Sequence, residues 1–209
     1  MILLSVRFTE RRLSHADEHA LGLSLRDELI GRYADASVSP IYAVHENGKP
    51  YIKNSSVTYS ISHTDGCVVC AACVPYSAKA EELPLIEGSA TDDGVYLIDR
   101  EIYARELGVD VEYINADRPQ ERTESVAERY FSEQDNKLLS ASADKTHTFF
   151  ALWTKYESIV KCSGDGLVAI RSVASEKLPT EFQTTGFLLV HGDNLYALSL
   201  CTSKNALTR

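Results

Sequence analysis

Hydrophobic and polar positions along this 209-residue chain change period several times, and each change predicts an element. The run from Met1 to Arg7 is short and apolar and reads as a first strand. Residues 14–33 read as a helix: Ser14 caps it, and Ala20, Leu21, Leu23, Leu25, Leu29 and Ile30 form a broad apolar face. Gly48-Lys49-Pro50 is a turn. Val57 to Ser62 alternates as a strand does, and His63-Thr64-Asp65-Gly66 turns it into the apolar run that starts at Cys67, which predicts a hairpin. Residues 76–107 are acidic and broken by Pro84, Gly88 and Gly94. They read as an exposed excursion that ends in a short regular piece from Val95 to Leu107.

Beyond that excursion, Val109 to Ile114 is a strand. Ser125 to Phe131 reads as a helix, and Ser132-Glu133-Gln134-Asp135 opens another in the manner of a capping box. The longest helix runs from about Lys145 to Cys162. Its buried side holds Phe149, Phe150, Leu152, Trp153, Ile159 and Val160, and Gly164 supplies the C-terminal stop. Strands follow at 167–173, 186–191 and 195–201, with His191-Gly192-Asp193-Asn194 as a hairpin turn. The order predicts an α+β fold of two similar halves, 1–107 and 108–209.

The formal charge of -9 is uneven. Residues 1–60 hold 7 basic and 7 acidic side chains, 61–140 hold 7 and 17, and 141–209 hold 7 and 6. The acidity therefore sits in the middle third, which disfavours nucleic acid as a partner. The longest apolar run, Cys67 to Pro75, is far short of the roughly 20 residues that span a bilayer. The first residues lack the basic and long apolar regions of a signal peptide, so a cytoplasmic location and no membrane partner are expected.

Cys67, Cys70 and Cys73 form C-x-x-C-x-x-C, a spacing found in zinc and iron–sulfur sites. Burial is the better reading. The run is continuously apolar, and on a strand Cys70 faces away from the other two. A zinc or iron–sulfur protein stays as the alternative from another class.

Two segments carry candidate chemistry. Asp110 and Glu112 lie two apart on a strand, so both carboxylates point to one face, roughly 6.6 Å apart along the chain. They repel unless a cation sits between them, and hard oxygen donors suit Mg2+. A solvated strand face is the bland reading. Trp153, Glu157 and Lys161 are spaced i, i+4, i+8 and share a helix face. Glu157 before Lys161 reads first as a surface ion pair, and otherwise as a metal ligand or base beside a phosphate clamp. His63 and Lys49 read as polar turn residues or as anion contacts.

Taken in order, Gly48-Lys49-Pro50, Ser60-Ile61-Ser62-His63-Thr64, Gly108-Val109-Asp110-Val111-Glu112, Glu128-Arg129-Tyr130-Phe131-Ser132-Glu133 and Trp153 to Lys161 resemble the 4'-phosphopantetheinyl transferase superfamily, of the two-half type that activates peptide and polyketide synthetases. The resemblance covers residues 48 to 167. It implies a pseudo-dimer of two α+β halves with the active site in the cleft between them. It implies transfer of the 4'-phosphopantetheine arm of coenzyme A to a serine of an apo acyl or peptidyl carrier protein, releasing adenosine 3',5'-bisphosphate. By the same resemblance Asp110, Glu112 and Glu157 hold Mg2+, with Mn2+ as the alternative ion. Lys161 touches the coenzyme A phosphates, Lys49, Ser62 and His63 contact the nucleotide, and Glu157 is ligand, base or both. A monomer serving secondary metabolism or fatty acid synthesis is expected.

Two departures stand out. The family has lysine immediately before the helix glutamate, and this chain has Tyr156. A stretch of about 30 residues, Tyr76 to Leu107 and acidic in balance, separates the hairpin from G-x-D-x-E, and it is expected to lie away from the face that meets an acidic carrier. Arg7, Arg11, Arg12, Arg26 and Arg32 are candidates for contacting coenzyme A's 3'-phosphate or the carrier. A non-catalytic coenzyme A binder of the same fold is the nearest alternative, with Tyr156 as its sign.

Overall fold

A computed structural model describes residues 1–10, 13–34, 39–102, 104–166 and 182–203. Its first half consists of β1 (Ile2–Phe8), α1 (His15–Tyr33), β2 (Tyr42–Val44), β3 (Pro50–Ile52), β4 (Thr58–Thr64) and β5 (Cys67–Cys73). The linking stretch gives α2 (Ala78–Glu81), β6 (Ser89–Ala90) and β7 (Gly94–Asp99). The second half has β8 (Leu107–Tyr113), α3 (Gln120–Tyr130), α4 (Glu133–Ala141), α5 (Lys145–Ser163), β9 (Phe182–His191) and β10 (Asn194–Ser203). Helix and sheet are mixed as an α+β fold requires. The predicted strand at 167–173 lies outside the described residues, as do Arg11 and Arg12.

Two four-stranded sheets form the centre, ordered β4-β5-β1-β7 and β6-β9-β10-β8. Each contains a strand, then helix, then a hairpin whose second arm pairs with that first strand antiparallel: β1 with β5, and β8 with β10. The inner faces pack on each other. Ile2, Leu4, Val6 and Phe8 of β1 share one core with Leu107, Val109 and Val111 of β8 and Leu198 and Leu200 of β10. The outer face of the first sheet is covered by α1, where Leu29, Ile30 and Tyr33 meet Leu3 and Ala72. Ala20, placed on the apolar face of that helix by its period, is exposed. The outer face of the second sheet is covered by α5.

The cysteine strand alternates as a two-sided buried strand does. Cys67 and Cys73 lie in the core between the sheets, and Cys70 lies with Leu25 and Val68 under α1. Burial pushes all three thiols up, Cys70 to about 12, so they sit as neutral small hydrophobes.

The stretch 76–107 is not the exposed excursion its composition predicts. β7 pairs with β1 in the first sheet, and β6 pairs with β9 in the second. Ala80, Ile86, Ala90, Leu97 and Ala104 are buried, while Glu81, Glu82, Glu87 and Asp92 between them face solvent. The segment staples the two sheets, and its acidic surface hides an apolar underside. Nor does a single regular piece run from Val95 to Leu107, since β7 ends at Asp99. The helix predicted from Ser125 begins at Gln120, because its first turn is wholly polar and leaves no apolar period to read.

The halves also meet along one seam. Thr58, Ser60, Ser62 and Thr64 share a face of β4, as every second residue of a strand must. Thr58 donates to the Ala104 carbonyl at 3.3 Å. The amides of Val109, Val111 and Tyr113 donate to Ser60 Oγ at 3.0 Å, Ser62 Oγ at 3.3 Å and Thr64 Oγ1 at 3.3 Å. Edge-strand amides of β8 are thereby paired without a backbone ladder.

Candidate active site

The site forms where β8 passes between this seam and α5. Gly108 permits the approach: a Cβ there would overlap the Ser158 carbonyl and the Cys162 amide and stand 3.0 Å from the Cys162 Cα. Thr154 and Ser158 keep the same side of the helix small and are fully buried. Such close packing leaves Asp110 and Glu112, on the helix-facing side of β8, directly beside Glu157 and Lys161.

Asp110 is 5% exposed, so its charge needs partners. Its Oδ1 accepts from Lys161 Nζ at 2.7 Å and from Ser62 Oγ at 2.9 Å. Lys161 Nζ also donates to Ser62 Oγ at 2.9 Å. Ser62 Oγ therefore accepts from Lys161 and Val111 and donates to Asp110, which uses every capacity of a hydroxyl. Asp110 Oδ2 is buried and has no protein partner.

Glu112 and Glu157 are both pushed up to about 7, chiefly by burial and then by the nearby Asp110 charge. Lys161 offsets part of this for each, and for Glu112 so do a hydrogen bond from Trp153 and the charge of Arg118. Three crowded carboxylates face one ammonium, so the cluster lacks positive charge. Among the described residues no group of three or more His, Cys, Asp or Glu side chains is already arranged as a metal cage. The donor set nevertheless suits a hard divalent cation: all ligands are carboxylate oxygens, one is buried and unpaired, and two carry pKa values raised by burial and by the nearby Asp110 charge.

The surface ion pair read for Glu157 and Lys161 is not the arrangement found, since Lys161 pairs with Asp110. His63 points from the opposite face of β4 to α1. Its Nδ1 meets Glu18 at 2.9 Å, and its ring stands edge-on to His15 at 5.0 Å. Burial lowers its pKa, with Glu18 opposing. Lys49 reaches across from the β2–β3 turn to Glu106 and to the Cys162 carbonyl at the end of α5. It borders a cavity of about 270 Å³ lined also by His45, Tyr51, Thr58, Tyr59 and Arg105. Another cavity, about 240 Å³ between α3, α4 and α5, contains none of these residues.

Tyr156 lies elsewhere. Its hydroxyl donates to Asp135 at 2.5 Å and accepts from the Ser132 amide at 3.1 Å, and its ring stacks on Phe131 at 5.3 Å. One residue along a helix turns the side chain by about 100°, so position 156 belongs to the α3–α4 corner and not to the carboxylate face. Arg26 is likewise no free cation: it is 8% exposed, bonded to Asp27 and stacked on Tyr42 at 3.6 Å. Arg7 pairs with Asp93 at 3.5 Å.

Three contributors went unread in the sequence: Arg118 near Glu112, the hydrogen bond from Trp153 to Glu112, and the hydroxyls of Ser60 and Thr64. Only the last had a signal, a hydroxyl at every second position of β4.

Comparison with known proteins gives two matches. A family model described as the 4'-phosphopantetheinyl transferase superfamily matches residues 106–202, the span from β8 to β10. The 4'-phosphopantetheinyl transferase HetI of Nostoc sp. is 24% identical over 174 residues, covering 80% of this chain and 60% of that protein's length. Among the described residues no helix is long and apolar enough to cross a membrane.

Proposed function

We propose, because the chain matches the 4'-phosphopantetheinyl transferase superfamily over residues 106–202 and is similar to a 4'-phosphopantetheinyl transferase, that it transfers the 4'-phosphopantetheine arm of coenzyme A to a serine of an apo acyl or peptidyl carrier protein. The observation that carries this reading is the convergence of Asp110, Lys161 and Ser62 from three elements, with an unpaired buried carboxylate oxygen and two more carboxyls beside it. The two sheets act as halves of a pseudo-dimer, and substrates enter the cleft lined by β4, β8 and α5. The protein works as a monomer in the cytoplasm.

Asp110, Glu112 and Glu157 are the residues that would hold Mg2+, or Mn2+ in its place. When bound, the ion supplies positive charge to the pyrophosphate oxygens of coenzyme A. Lys161 holds a second positive charge against the same phosphates, and its bonds to Asp110 and Ser62 fix its direction. Lys49 and His63 take the nucleotide part, Lys49 at the rim of its cavity.

The carrier serine loses its proton as its oxygen bonds to the β-phosphorus, and the bond to adenosine 3',5'-bisphosphate breaks. Glu157 is placed to take that proton, directly or through water, because it stands on the face of α5 that carries Lys161 and meets Asp110. Tyr156 gives no ground for a non-catalytic binder, because its hydroxyl serves the α3–α4 corner. The test is mass spectrometry of an apo carrier incubated with the protein, coenzyme A and Mg2+. A gain of one phosphopantetheine on the carrier serine is expected, and no gain on any carrier offered would overturn the reading.

A further inference from the structure

We infer that Ser60 and Thr64 are positioning residues, which hold the acid pair of β8 in place for a divalent cation through the backbone. The inference rests on the metal-binding reading of Asp110 and Glu112.

β8 is the edge of its sheet, so one row of its amides has no strand neighbour. That row is Val109, Val111 and Tyr113, and each amide donates to a hydroxyl of β4 at a constant separation of 49 residues. Asp110 stands between the first two anchored amides, and Glu112 between the last two. Ser62, in the middle, is already saturated by Lys161 and Asp110. The outer rungs, Ser60 and Thr64, therefore set the tilt and register of the strand. Asp110 and Glu112 share the side of β8 that faces Glu157 on α5, and one ammonium, Lys161, stands against Asp110, so like charges are crowded there. Without its anchors β8 relaxes away from α5, and the carboxylates separate before an ion arrives. Loss of an outer contact of this kind weakens metal affinity while the ligands themselves stay intact.

The full-length protein with Thr64→Val, an isostere without the hydroxyl, is compared with Thr64→Ser, which keeps it. Two readouts report on the inference independently of transfer: hydrogen exchange at the Tyr113 amide, and Mn2+ binding by electron paramagnetic resonance with coenzyme A present. Thr64→Val is expected to speed exchange at Tyr113 and to weaken Mn2+ binding on the order of tenfold. Thr64→Ser is expected to restore both. Ser60→Ala repeats the effect at Val109. Unchanged Mn2+ binding in Thr64→Val overturns the inference, and so does a serine variant as weak as the valine one. A wild-type protein that binds Mn2+ yet modifies no carrier ends the transferase reading and leaves this test intact. A wild-type protein that transfers the arm while Thr64→Val binds Mn2+ normally ends the positioning inference alone.

Discussion

Two sides of α5 carry polar groups in opposite states. Toward the α3–α4 corner, Tyr156, Asp135, Ser132 and Lys155 form a closed set. The tyrosine hydroxyl gives and receives one bond, and Lys155 stands 3.5 Å from Asp135. Toward β8, Glu157 and Lys161 join Asp110 and Glu112 in a set that stays open. One buried oxygen has no partner, and two carboxyls are held near 7. A satisfied polar network rigidifies a fold, whereas an unsatisfied one at a cleft is retained for something that binds there. Under the proposed function the difference leaves structure to one side of the helix and chemistry to the other, although Tyr156 and Glu157 are neighbours in sequence.

The contrast breaks if variants on the two sides behave alike. A large effect is expected from Asp110→Ala, which removes the partner of both Lys161 and Ser62. Transfer should fall by at least about 100-fold, measured as initial rate of carrier modification. Tyr156→Phe is expected to act on stability instead. It strands the Ser132 amide and one bond to Asp135, costing about 1–3 kcal/mol in urea unfolding. Its rate per folded molecule should stay close to wild type.

A pH series sharpens the same point. Glu112 and Glu157 titrate near 7 in the folded protein, against an ordinary 4.5. Between those values the folded state binds more protons than the unfolded chain, so their contribution to stability falls as pH rises and then levels off above about 7. Without metal, wild type should lose more stability between pH 5 and pH 8 than Glu157→Gln does, and the difference between the two curves isolates the group. Added Mg2+ should narrow it. The smallest effect is expected from Lys155→Ala, whose partly exposed ion pair with Asp135 is worth at most about 1 kcal/mol.

Much of this was legible in residue order. Period 2 in β4 and β8 and the spacing of Trp153, Glu157 and Lys161 placed the acid pair and the helix face correctly, because both patterns follow from backbone geometry alone. The alternation Cys67, Cys70, Cys73 gave the two buried faces of β5 for the same reason. Residues 76–107 misled, because Ile86, Ala90, Leu97 and Ala104 are spaced irregularly among acidic neighbours, and pairing with two different sheets leaves no single period. The partner of Lys161 was also hidden. Helix spacing suggests Glu157, and only tertiary approach, made possible by the absent Cβ of Gly108, brings Asp110 within 2.7 Å. The motif implies that position 156 belongs to the site, yet rotation about the helix axis carries it to the other side.

The most direct test of this division is the initial rate of phosphopantetheine transfer to one apo carrier by Glu157→Gln and Tyr156→Phe, at equal concentrations of folded protein with saturating coenzyme A and Mg2+. The account predicts a loss of about 10²–10⁴-fold for Glu157→Gln and a rate near wild type for Tyr156→Phe. Full activity in Glu157→Gln, or a comparable loss in Tyr156→Phe, would contradict it.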